Sequence, residues 1–153
     1  MKYSMVPEGT LFRIIALKDF GNVKAGDKDG LIEKEANLSQ EGNCWVRSNA
    51  RVFGNARVWG DAGVYGHAQV YGDSRVSEKA RVGDNACVYD DAKIYGSAPV
   101  CGGARIYEYA RVCETAWVQG DAQVSGYAWV CGDVKVQGNA RVSDNDVVTN
   151  NVE

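Results

Sequence analysis

The chain is short of the residues that most catalytic and metal chemistry uses. It has 153 residues and one histidine, His67. A zinc site built from two or three histidines of one chain is therefore excluded. The five cysteines, Cys44, Cys87, Cys101, Cys113 and Cys131, include no CxxC pair. An odd count without such pairs argues against a disulfide scaffold or a zinc ribbon. Threonine occurs only at positions 10, 115 and 149, so no face can carry the regular threonine array of an ice-binding surface. Met1–Thr10 lacks a basic-then-apolar leader pattern. The longest apolar run, Leu11–Leu17, is broken by Arg13 and is too short to span a bilayer. A net charge of -3 does not suit a duplex nucleic-acid binder. These features lead us to expect a soluble protein of a reducing, cytoplasmic compartment, with no membrane contact and no cofactor.

Proline is nearly absent (2 residues), whereas glycine is frequent (18) and regularly spaced. From Cys44 to Asn145 the chain divides into seventeen blocks of six without insertion or deletion. The first position is Ala except at Cys44, Ser74 and Val134, and the third is Val except at Ile94 and Ile106. The fifth position is Gly in ten blocks, and the sixth is mostly Asn, Asp or another turn former. Positions one and three share a strand face, so that face is buried. Positions two and four point outward, and five and six make a turn. Strand and turn alternating every six residues must coil, and regular glycine at this density excludes a helical bundle, because each glycine costs a helix about 1 kcal/mol.

The repeat resembles the hexapeptide-repeat family, which folds as a left-handed parallel β-helix. Val82-Gly83-Asp84-Asn85-Ala86 matches the family pattern of an aliphatic residue followed four places later by a small one. Most blocks depart from it by placing an aromatic or polar residue directly after the valine. The resemblance implies the handedness, a triangular coil of three blocks, and association as a homotrimer. Eighteen blocks to Asn151 make six coils, a prism ~29 Å long at ~4.8 Å per coil. Asp146 falls where Ala belongs, so fraying or capping is expected there, because a buried unpaired carboxylate is costly. The organisation expected is an N-terminal cap over 1–43, the β-helix over 44–151, and a tail at 152–153.

Within the cap, Leu11–Leu17 reads as a strand, 19–27 as turns, and Leu31–Leu38 as either a strand or a short helix. The stretches Asp19-Phe20-Gly21-Asn22-Val23-Lys24-Ala25-Gly26 and Leu38-Ser39-Gln40-Glu41-Gly42-Asn43-Cys44-Trp45 resemble the head of bacterial and prophage β-helix proteins that have no settled activity.

Stacking residues eighteen apart sorts the outward positions into three faces. The second face carries Phe53, Tyr71, Tyr89 and Tyr107 in one column, read as an interface or as stacking that stabilises the coil. The third carries Arg57, Arg75, Lys93 and Arg111 beside Trp59 and Tyr95. Cations in register repel, so Asp61, Glu78, Glu114 and Asp133, a partner subunit or a bound anion should offset them. Cation rows beside aromatics suit nucleotides and other phosphorylated ligands. The first face is the smoothest, with Gly63, Gly83, Pro99 and Gly103, and holds Trp45, Trp117 and His67. Cys113 and Cys131 stack on neighbouring coils and are read as free thiols.

Three functions follow as expectations. A non-catalytic oligomer would hold a small anionic, nucleotide-like ligand between subunits, in one version a phage protein that sequesters a host nucleotide. Its ligand-binding residues would be Arg57, Trp59, Arg75, Lys93, Tyr95 and Arg111. An acetyl-CoA-dependent acyltransferase, the activity common in the resembled family, would need His67 as its base. That role is weakened because His67 lies on a turn and not on an inserted loop. A scaffold would use the aromatic ridge to contact protein. A γ-type carbonic anhydrase, which shares the resembled fold, is excluded by the single histidine.

Overall fold

A computed structural model describes all residues, 1–153. The chain is all-β and forms a parallel β-solenoid. It has no α-helix, and one short 3-10 turn covers Glu35–Asn37. Strands β1 (Tyr3–Glu8) and β2 (Leu11–Ala16) form an antiparallel hairpin, and β3 (Lys28–Ile32) pairs antiparallel with β2. On its other side β3 runs parallel to Arg51–Val52. After it come eighteen two-residue strands, from Trp45–Val46 to Val147–Val148, each starting six residues after the last. They stack as three sheets of nine, six and six strands, the larger one including β1–β3.

The solenoid has about seven turns, against the six read from the blocks. Its extra coil comes from Ile32 and Leu38, which sit over Val52 and Val58. These two are six apart, but Val46 follows Leu38 by eight. Two additional residues near Gly42 thus conceal the first coil from the six-residue register. Leu31–Leu38, read as strand or helix, contributes the end of one and a single turn of the other.

The interior follows the repeat. The first-position alanines and third-position valines are buried and join one core cluster of 41 residues, so a single core runs through cap and coil. Ser74 replaces an inward Ala at little cost, because its hydroxyl donates to the Tyr71 carbonyl at 2.7 Å. Asp146 keeps its coil position by turning outward. Its side chain is exposed and accepts the Ser143 N–H, while Val147–Val148 still pairs with Trp129–Val130.

Every corner makes the same backbone demand. All seventeen fifth positions have φ between 54° and 87°. Ten are Gly, and the other seven are Ser48, Glu78, Asp84, Asp90, Glu108, Glu114 and Asp144. Left-handed backbone costs a side chain roughly 1–2 kcal/mol. Four of these acids offset part of that cost by accepting the backbone N–H one coil later, at Gly96, Gly102, Glu108 and Gly126.

Coils are joined in a fixed sense at the outward positions. The N–H groups of Arg57, Trp59 and Asp61 donate to the carbonyls of Ser74, Val76 and Glu78 in the next coil. The corresponding carbonyls of the first coil have no preceding coil to serve them. The cap supplies donors instead. Tyr3 Oη donates to the Leu38 carbonyl at 2.5 Å, Lys2 Nζ to Cys44 at 2.9 Å, and an Arg13 guanidinium nitrogen to Ser48 at 2.9 Å. Lys2 is 1% exposed and also reaches the carbonyls of Glu41 and Gly42 and the Cys44 sulfur. Burial lowers the Lys2 amine below the usual lysine range, and the neighbouring Cys44 opposes that shift.

Lys2→Met keeps the packing volume but leaves buried carbonyls unserved, so a loss of about 2–3 kcal/mol is expected in urea unfolding. Gly96→Ala would put a Cβ 2.5 Å from the Glu114 backbone nitrogen in a left-handed corner. It should cost about 2–4 kcal/mol and lower the melting temperature accordingly.

Candidate functional site

The third face presents its cations as the repeat implies. Arg57, Arg75, Lys93 and Arg111 pair in direct register on adjacent strands. The next strand continues the column with Trp129, and the Arg111 guanidinium lies 5.0 Å from that ring's centroid. Arg57 and Arg75 are exposed, while Lys93 and Arg111 are half-buried. None of the four makes an ion pair: the three salt bridges join Arg13–Glu8, Lys24–Asp19 and Arg47–Asp29.

The acids expected to balance this row do not do so. Glu78 accepts the Gly96 N–H, Asp61 accepts the Asn43 N–H, and Asp133 accepts the Thr115 hydroxyl. Turn geometry holds these three carboxylates on backbone and hydroxyl donors, away from the cations. Glu114 pairs with no cation.

Two open grooves flank the row. One, of about 400 Å³, is lined by Arg57, Trp59 and Arg75 with Ala36 and Ser39 from the first coil. The other, of about 430 Å³, is lined by Asp73, Arg75, Asp91, Lys93, Tyr109 and Arg111. Trp59 is 39% exposed, and Tyr95 is half-buried beside the row. The residues missed from the sequence are those at the corner, at sixth positions: Asp73, Asp91, Tyr109 and Tyr127. Sorting the sixth positions by the same eighteen-residue stack would have found them. Tyr109 and Tyr127 stack at 4.9 Å, with their planes 3° apart.

On the second face Phe53, Tyr71, Tyr89 and Tyr107 stack face to face, with centroids 4.9, 5.1 and 5.2 Å apart. All four rings are half-buried. Burial raises the Tyr71 and Tyr89 phenols, and for Tyr89 the charges of the flanking phenols add to it.

The first face is less smooth than its glycines suggest. The Tyr65 ring lies over Gly83, where a Cβ would come within 2.0 Å of ring carbons. Trp45 is buried under the cap against Phe20 and Tyr3, whereas Trp117 stays exposed, with the Lys135 amine 5.2 Å from its ring centroid. Gly103 and His67 stand at a corner instead of on the face. His67 is exposed, shares a groove with Asn49, Arg51 and Gln69, and has no hydrogen bond to its ring.

Cys113 and Cys131 form a disulfide, contrary to the reading as free thiols. Strands stacked in register bring their Cα atoms to 4.7 Å, inside the range that a disulfide spans. The remaining thiols are Cys44, Cys87 and Cys101. The cysteines thus no longer argue for a reducing compartment. No helix is long and apolar enough to cross a membrane.

With this geometry in hand, comparison with known proteins adds one finding. The YdcK beta solenoid repeat family matches residues 50–66, a segment spanning three successive corners of the coil. The chain is similar to that family over this segment, and the likeness carries a β-solenoid repeat. No curated protein matches the chain.

The disulfide closes a loop with a sequence separation of 18 residues. Reduction, or Cys113→Ser, is expected to lower unfolding stability by about 2–3 kcal/mol. Thermal melts with and without reductant check this, and a thiol titration of the unreduced protein should return only three groups.

Proposed function

We propose that the protein is a non-catalytic binding protein that assembles as a homotrimer and holds a small anionic, nucleotide-like ligand on its third face. The observation that carries this reading is the row of four cations on consecutive strands with no ion-pair partner. Like charges one strand apart raise the energy of the free protein, and an anion that bridges them relieves that repulsion. Exposed aromatic edges beside the row, at Trp59 and Tyr109, offer surface to the uncharged part of a ligand. Grooves open on one chain become enclosed when a second prism lies alongside, which favours an oligomer. A phage-encoded, sequestering version of this reading rests on the resemblance of the N-terminal segment.

Acyl transfer is the weaker alternative. It needs a base held against the acceptor, and the exposure of the His67 ring at a corner, with no hydrogen bond to orient it, argues against that role. A scaffold role through the Phe53–Tyr107 column is disfavoured by the stacking of those rings, which leaves them half-buried in the single chain.

Titration calorimetry with nucleoside diphosphates tests the reading. Binding should weaken as salt rises. It should also fall by about tenfold or more for each of Arg75→Ala and Arg111→Ala, because each removes a charge-assisted contact. Absence of binding by every anion at low salt would overturn it.

A further inference from the structure

The second groove is not uniformly basic, and that limits what can fill it. Lys93, Arg75 and Arg111 line one side, and Asp73 and Asp91 line the other at the corner. Neither aspartate pairs with a cation, so both carboxylates remain free to accept. A purely anionic ligand, such as polyphosphate or an acidic polymer, would lie against these two charges. An occupant suited to the whole groove carries an anion at one end and N–H donors at the other.

The third component is Tyr109, which is 51% exposed. Tyr127 covers one face of its ring at 4.9 Å. The opposite face looks towards the coil of Asp91, which holds no aromatic at that corner. A planar ring entering there would extend the tyrosine stack by one step, with its edge at the Asp91 carboxylate and its substituents directed across the corner to Lys93 and Arg111.

Among common planar groups attached to phosphates, the bases differ in what they offer a carboxylate. An ionised carboxylate is acceptor-only and suits two adjacent donors. Guanine presents such a pair, N1–H beside the N2 amino group. Adenine and cytosine present an amino group flanked by an acceptor, and uracil a single N–H between two carbonyls.

We propose that this groove reads guanine: the base stacks on Tyr109, Asp91 accepts its paired N–H donors, and the phosphates lie on Lys93, Arg75 and Arg111. This rests on the anion-binding reading above and gives it a base specificity. Asp91 is then a selectivity residue, and its charge beside the cations follows from the donors that it faces.

Calorimetry on the full chain with GDP, ADP, CDP, UDP and pyrophosphate tests it. GDP is expected to bind at least about tenfold tighter than the other three nucleotides. Asp91→Asn should bring GDP down to the level of ADP, because an amide cannot accept both donors. Tyr109→Ala should weaken all four nucleotides and leave pyrophosphate unchanged. Asp91 and Tyr109 are exposed, so neither change threatens folding. Equal binding of the four nucleotides, or a guanine preference that survives Asp91→Asn, overturns the guanine assignment while pyrophosphate binding keeps the anion reading. Failure of pyrophosphate and all nucleotides overturns both.

Discussion

The left-handed corner at the fifth position of every six-residue block is the constraint on which the fold depends. A two-residue strand makes too few hydrogen bonds to persist alone, so each must turn into the next without losing register. A positive φ at the fifth position provides that turn: the following N–H then donates to the next coil, and the corner residue's own carbonyl accepts from the preceding one, as the Asp61 N–H donates to the Glu78 carbonyl. Glycine meets the demand without steric cost. Where an acid takes its place, as at Glu78, Asp84, Asp90 and Glu108, the carboxylate caps a backbone N–H that would otherwise face solvent. The acidic share of the composition therefore serves turn structure in part, which is why those charges cannot also neutralise the arginine row.

The same periodicity builds the candidate site. Residues eighteen apart become neighbours, so a column of like side chains needs only the same residue type at one block position in three successive coils. Second positions place the cations on the third face, and sixth positions place Asp73, Asp91 and Tyr109 at its corner. A groove arises where two columns of unlike chemistry meet. Arg111 also covers the Trp129 ring, so the row ends on a cation–aromatic contact.

Much of the coil was legible in the sequence, because position one and position three repeat without interruption from Cys44. The aromatic column from Phe53 to Tyr107 and the cation row from Arg57 to Arg111 followed from counting by eighteen. The first coil was not legible, since two extra residues between Leu38 and Val46 break the count. The partners of Glu78 and Asp61 were also hidden: side-chain charge is visible in a sequence, but the direction of a corner N–H is not. Cys113 and Cys131 were misread as free thiols, because the eighteen-residue stack shows that they are neighbours but not that their Cα atoms come to 4.7 Å with side chains facing each other. The corner residues Asp91 and Tyr109 were readable in principle, but the sixth positions look like turn formers before they look like a column.

The cap and the disulfide together give the prism an asymmetry of cohesion. A solenoid is held by nearest-neighbour contacts and opens from its ends. One end is closed by the hairpin and by the donors of Lys2, Tyr3 and Arg13. The covalent bond between Cys113 and Cys131 ties two adjacent coils and interrupts any unwinding that begins beyond them. Opening therefore concentrates in the segment after Cys131, where Val147 is 68% exposed and the last strand has a neighbour on one side only. The coils bearing Arg57 to Arg111 lie behind that barrier, so thermal fluctuation is spent at a distance from the charged row and its geometry stays rigid.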